Sequence, residues 1–81
     1  MNRDEAFRTF QETLAEVLDL EADSIKRESI FQDDLDVDSL AFAEITIALE
    51  EAFAIEIPDP EPEQVATVGG AFDFVAELLG V

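Results

Sequence analysis

Residues 34–53, DLDVDSLAFAEITIALEEAF, decide the fold. Three aspartates at alternate positions, Asp34, Asp36 and Asp38, lead into Ser39, and after it Phe42, Ile45, Leu49 and Phe53 recur at i, i+3, i+7 and i+11. Those intervals put four apolar side chains on one face of an α-helix from about Ser39 to Phe53. Two chemistries compete for the start of the stretch. Alternate acids are the first half of a calcium loop, which also needs glycine at its sixth position and a bidentate glutamate at its twelfth. Counted from Asp34, those positions hold Ser39 and Ile45, and Glu44 is one residue short and turned about 100° around the helix. Only three calcium ligands are therefore in register, and no dedicated metal site is expected. A serine in the first helical turn is the other possibility, because free backbone N–H groups and the positive end of the dipole favour a phosphate there. The plain role for such a serine is the N-cap, although Phe42 stands where a capping box would want Glu or Gln.

Working outward, Phe7, Phe10, Leu14, Val17 and Leu18 share one helical face and predict a first helix from about Asp4 to Leu18, capped by Asn2 or Asp4. Val68, Phe72, Val75 and Leu79 predict a last helix behind Thr67 as its cap. Gly69 and Gly70 in its first turn should each cost roughly 1 kcal/mol relative to alanine. Residues 54–62, AIEIPDPEP, alternate and carry three prolines, which predicts an extended segment and then a short helix near Pro62 to Ala66. No period is visible from Asp19 to Asp38, a long loop that Ile25, Ile30, Phe31 and Leu35 should tether to the core. The expected fold is all-α: a small four-helix bundle of three longer helices and one short one, with a long loop between helices 1 and 2 and a single domain over 1–81.

Composition narrows the chemistry. Histidine, cysteine, tyrosine and tryptophan are all absent, which removes disulfides, the usual zinc ligands and the commonest general base. Any function must run on hydroxyls, carboxylates and surface shape. It holds 21 acidic and 4 basic residues for a net charge of −17. Seven acids precede Glu28, and the other 14 lie from Glu28 onward, where there is no base at all. A 48% hydrophobic content with seven phenylalanines argues for a folded core rather than an acidic disordered chain. The negative field should repel nucleic acid and anionic lipid and attract basic protein surfaces. With no basic n-region and no membrane-length apolar run, a cytoplasmic monomer is the expectation.

The stretch DLDVDSLAFAEITIALEEAFAIEIPDPE resembles the signature of acyl carrier proteins, and SIFQDDL before it and TVGGAFDFV after it extend the resemblance over essentially the whole chain. The specific combination is Asp38-Ser39-Leu40 with Glu50, Glu51 and Phe53, followed by Ile57-Pro58-Asp59. The resemblance implies that Ser39 carries a 4′-phosphopantetheine arm, received from coenzyme A through a phosphopantetheinyl transferase that reads Asp38 and Leu40. Thiol chemistry then comes from the arm, which holds acyl groups as thioesters for the acyltransferase, ketosynthase and other enzymes of fatty-acid or polyketide synthesis. It also implies a partner-docking second helix, with Glu44, Glu50 and Glu51 beside an apolar strip of Leu40, Ala43 and Ile47. An acyl chain would shelter behind Phe42, Ile45 and Leu49. The chain departs from bacterial fatty-acid carriers at Asp36, where those usually have glycine, at Ala41, commonly acidic, and at Phe42, which is large for its inward place. An acidic calcium-binding regulator, or a carrier-like interaction module without the arm, is the alternative.

Overall fold

The computed structural model describes residues 1–81 and contains three α-helices: α1 (Arg3–Leu18), α2 (Ser39–Phe53) and α3 (Val68–Leu79). Each begins on an extended residue whose side chain accepts a backbone N–H of the first turn: Asn2 from Glu5, Asp38 from Ala41 and Thr67 from Gly70. Each ends on a left-handed residue, Asp19, Ala54 or Gly80. Of the two expected caps for α1, Asn2 does the work and Asp4 lies inside the helix.

The expected fourth helix is not an α-helix. Pro62–Val65 forms a single 3-10 turn, and a second 3-10 turn at Ala22–Ser24 interrupts the long loop. Glu61 and Gln64 cap the former reciprocally, but Thr67 must already be extended, at φ −115° and ψ 160°, to start α3. Too little chain is left between them for a second turn. The pair of glycines that follows is needed for close approach rather than being a weakness of the helix. A Cβ on Gly70 would stand 2.5 Å from the Gln64 carbonyl oxygen, and one on Gly69 3.0 Å from that of Arg27.

The loop between α1 and α2 is held by its backbone. Residues 27–31 run beside residues 66–69: the Gly69 N–H donates to the Arg27 carbonyl at 2.8 Å, the Val68 N–H to that of Ser29 at 2.9 Å, and the Phe31 N–H to that of Ala66 at 3.2 Å. Ile30 and Thr67 form an antiparallel bridge there. Extended residues alternate faces, so Phe31 turns inward while Ile30 remains 38% exposed and is not a tether. Ile25, Phe31 and Val37 are the buried anchors, and Leu35 is half-buried.

Phe10, Leu14, Ile25, Val68 and Phe72 form the fully buried centre. The Phe72 ring takes edge-to-face contacts from Phe7 and Phe10 at 5.0 and 5.6 Å. Arg3 and Arg27 close this end by pairing with Asp73, and their guanidiniums lie 5.2 and 6.0 Å from the Phe72 ring centre. No helix is long and apolar enough to cross a membrane.

Candidate functional site

The three alternating aspartates each serve the backbone. Asp34 accepts the Ile30 N–H at 2.7 Å, closing the loop on itself. Asp38 accepts the Ala41 N–H at 2.8 Å as the cap of α2. Asp36 takes the left-handed conformation, φ 55°, that turns the chain between them. No three acidic side chains converge on one point that could hold a metal.

With Asp38 as cap, Ser39 is the first helical residue, and its exposed hydroxyl has no capping duty. Asp38 satisfies Ala41, and the Phe42 N–H donates to the Asp38 carbonyl at 2.9 Å. The amides of Ser39 and Leu40 remain outside the helix's own ladder, at the positive end of its dipole. A phosphodiester attached to this oxygen fits the site, because its charge would meet those amides with no rearrangement of the cap.

One space adjoins Ser39, and a second shares part of its wall. An open groove of about 760 Å³ runs between the start of α2, the end of the loop and the proline turn, bordered by Gln32, Val37, Asp38, Ser39, Asp59 and Glu63 among others. Between the helices lies a cavity of about 30 Å³, with Phe42, Ile45 and Leu49 in its wall as expected, together with Thr46, Phe74 and Val75. Phe31, Phe42, Pro60 and Val65 border both spaces. Sequence reasoning singled out Phe42 among these four. The roles of the other three depend on the loop and the proline turn folding back together, which no local period records. Ile45 and Leu49 are buried, whereas Phe42 is only half-buried and packs edge-to-face on Phe31, at 5.7 Å between ring centres and 90° between planes.

On the outer face of α2, Leu40 and Ile47 are 70% and 57% exposed, and Ala43, Glu44 and Glu51 are exposed beside them. The intervals of three and four residues keep these five side chains on one stripe. Glu50 differs. It is half-buried, and its carboxylate accepts the Ile57 N–H at 2.8 Å, tying the last turn of α2 to the extended segment.

The family model for the phosphopantetheine attachment site matches residues 8–80. An acyl carrier protein of Rubrobacter xylanophilus is 42% identical over 95% of both chains, and one of a Picosynechococcus species is 43% identical over 94% of both. Among solved structures, an acyl carrier protein from Enterococcus faecalis superimposes with a TM-score of 0.72 at 32% identity, covering 95% of this chain and 98% of the other. A hydroxyl presented free of capping duty at a helix start, within a match of this length and specificity, establishes that the chain belongs to the acyl carrier protein family: a carrier, not a catalyst, of acyl intermediates on covalently attached 4′-phosphopantetheine.

Proposed function

We propose that Ser39 is the attachment point and that the chain works as one carrier domain, a cytoplasmic monomer serving fatty-acid or polyketide synthase enzymes. The observation that carries this reading is the exposed Ser39 hydroxyl at the first residue of α2, with Asp38 already acting as the cap. When attached, the arm supplies the thiol on which acyl groups are held as thioesters. Asp38 fixes the turn that presents Ser39, and Leu40, exposed next to it, offers the apolar contact a phosphopantetheinyl transferase reads. Glu44 and Glu51 flank the Leu40, Ala43 and Ile47 strip, so the face offers charge and apolar area to the basic docking patch of an acyltransferase or ketosynthase. Glu50 contributes by fixing the end of that face through Ile57. Phe42, Ile45 and Leu49 border the space toward which an acyl chain would turn.

Intact mass after incubation with coenzyme A and a broad-specificity phosphopantetheinyl transferase tests the reading. One arm is expected on the wild-type protein and none on Ser39→Ala. The other serine hydroxyls are engaged, Ser24 donating to the Glu21 carbonyl and Ser29 buried and accepting the Lys26 N–H. A mass gain that persists in Ser39→Ala, or that never occurs in the wild type, refutes the assignment.

A further inference from the structure

We propose that Phe31 and Phe42 form a closed door between the groove beside Ser39 and the cavity between the helices, and that short, uncharged acyl cargo rests in the groove, against the rings. The proposal deepens the reading of Ser39 as the attachment point and rests on it.

Volume carries the first step. The cavity measures about 30 Å³, room for no more than a few waters, and cannot accept a chain while its walls stand as they do. The groove, at about 760 Å³, lies within the range of roughly 300–1,000 Å³ in which proteins hold small ligands. The two rings that border both spaces, together with Pro60 and Val65, are unequal. Phe31 is 4% exposed, and its backbone is held on both sides, its N–H donating to the Ala66 carbonyl and its carbonyl accepting the Val37 N–H at 2.8 Å. Phe42 is half-buried, borders the groove as well as the cavity, and projects from the first turns of α2. Phe31 is therefore the post and Phe42 the leaf, and a longer chain reaches the core only when Phe42 turns aside.

The chemistry of the groove carries the second step. Its lining includes the buried or half-buried Val37, Pro60 and Val65 and the exposed Gln32, Asp59 and Glu63. Ionised carboxylates only accept hydrogen bonds. They suit cargo or arm groups that donate O–H or N–H, and they repel a free carboxylate. The class this selects is a short neutral acyl thioester, with a hydroxyl an advantage.

The test loads Ser39 separately with acetyl, 3-hydroxybutyryl, malonyl and octanoyl arms, confirms each by intact mass, and records backbone amide and methyl chemical shifts. Failure to load at Ser39 refutes the attachment reading; the door is judged only on loaded protein. In the wild type, acetyl and 3-hydroxybutyryl should shift Phe31, Val37 and Val65 while the methyl groups of Leu49 and Val75 stay in place, and malonyl should shift the same groove residues several-fold less. Octanoyl should leave Leu49 and Val75 in place in the wild type and shift them several-fold more in Phe42→Ala. Phe42→Leu, which removes the ring and keeps apolar packing, serves if the alanine variant does not fold. Octanoyl reaching Leu49 and Val75 equally with and without the Phe42 ring overturns the door, as does its failure to reach them in either variant. Groove residues unmoved by short neutral cargo, or moved as much by malonyl, overturn the groove assignment.

Discussion

Phe72 on α3 is fully buried, packs edge-to-face with Phe7 and Phe10 and lies beneath the guanidiniums of Arg3 and Arg27, whereas Phe42 on α2 is half-buried and packs edge-to-face with Phe31. The charge follows the same division. All four bases lie within residues 3–27, and Arg3 and Arg27 pair with Asp73 on α3. From Glu28 onward there is no base, so the acids of α2 and its flanking segments have none in their own part of the chain. The contrast teaches how a small domain can be stable and adaptable together: one end carries the fully buried ring and its ion pairs, and the other keeps a half-buried ring, acids without a base in their own part of the chain and the exposed Ser39.

The largest expected effect comes from deleting each ring in turn. Phe72→Ala should destabilise by about 3–5 kcal/mol, a large part of the roughly 5–15 kcal/mol typical of a whole domain. Phe42→Ala, half-buried and beside a groove that can relax, should lose about 1–3 kcal/mol. Urea unfolding followed by circular dichroism measures both. Equal losses would erase the distinction between a rigid end and an adaptable one.

A smaller effect separates glutamates that the sequence makes look alike. Glu50→Ala removes the acceptor of the half-buried Ile57 N–H and should lower stability by about 1–2 kcal/mol, or roughly 4–16 °C in melting temperature for a domain of this size. Glu44→Lys and Glu51→Lys, on the exposed stripe, should change stability by only a few tenths of a kcal/mol, yet slow association with the transferase and flatten its salt dependence. Equal slowing from Glu12→Lys or Glu16→Lys on α1 would show a general field effect in place of a docking face.

The glutamates also show where sequence reading stops. Helical period exposed all three α-helices, with α2 from Ser39 to Phe53 as expected, because an amphipathic helix writes its buried face at fixed intervals. The proposal for Ser39 comes from its motif and from the phosphate-favouring chemistry of a helix start, and the fold adds that Asp38 takes the capping role. The duty of Glu50 was not legible, since it depends on Ile57 seven residues away turning back across a helix end. Likewise, Gly69 and Gly70 read locally as helix weakeners, and only the Arg27 and Gln64 carbonyls packed against them show why no side chain fits. Phe31 looked like one more loop tether until the fold set it against Phe42.

The smallest expected effect returns to the aspartates before Ser39. Asp36 holds φ 55°, and Ala54 holds the same φ at the end of α2; a left-handed residue with a Cβ costs roughly 1 kcal/mol relative to glycine, somewhat less for aspartate. Asp36→Gly should therefore stabilise the protein by at most about 0.5 kcal/mol through its backbone, once the roughly 0.4–1 kcal/mol of extra freedom that glycine gives the unfolded chain is subtracted. Removing one charge from a net of −17 acts in the same direction. The two contributions separate cleanly. Ala54→Gly supplies the conformational gain without a charge change, and Asp36→Asn supplies the charge change in a residue that tolerates the left-handed region. Added salt should shrink the gain of Asp36→Asn and leave that of Ala54→Gly intact. Thermal melts at low and high ionic strength measure all three variants. A fall in melting temperature for Asp36→Gly would mean that the Asp36 carboxylate makes a stabilising contact worth more than the strain of its backbone, and the adaptable end would then be held more firmly than its half-buried ring implies.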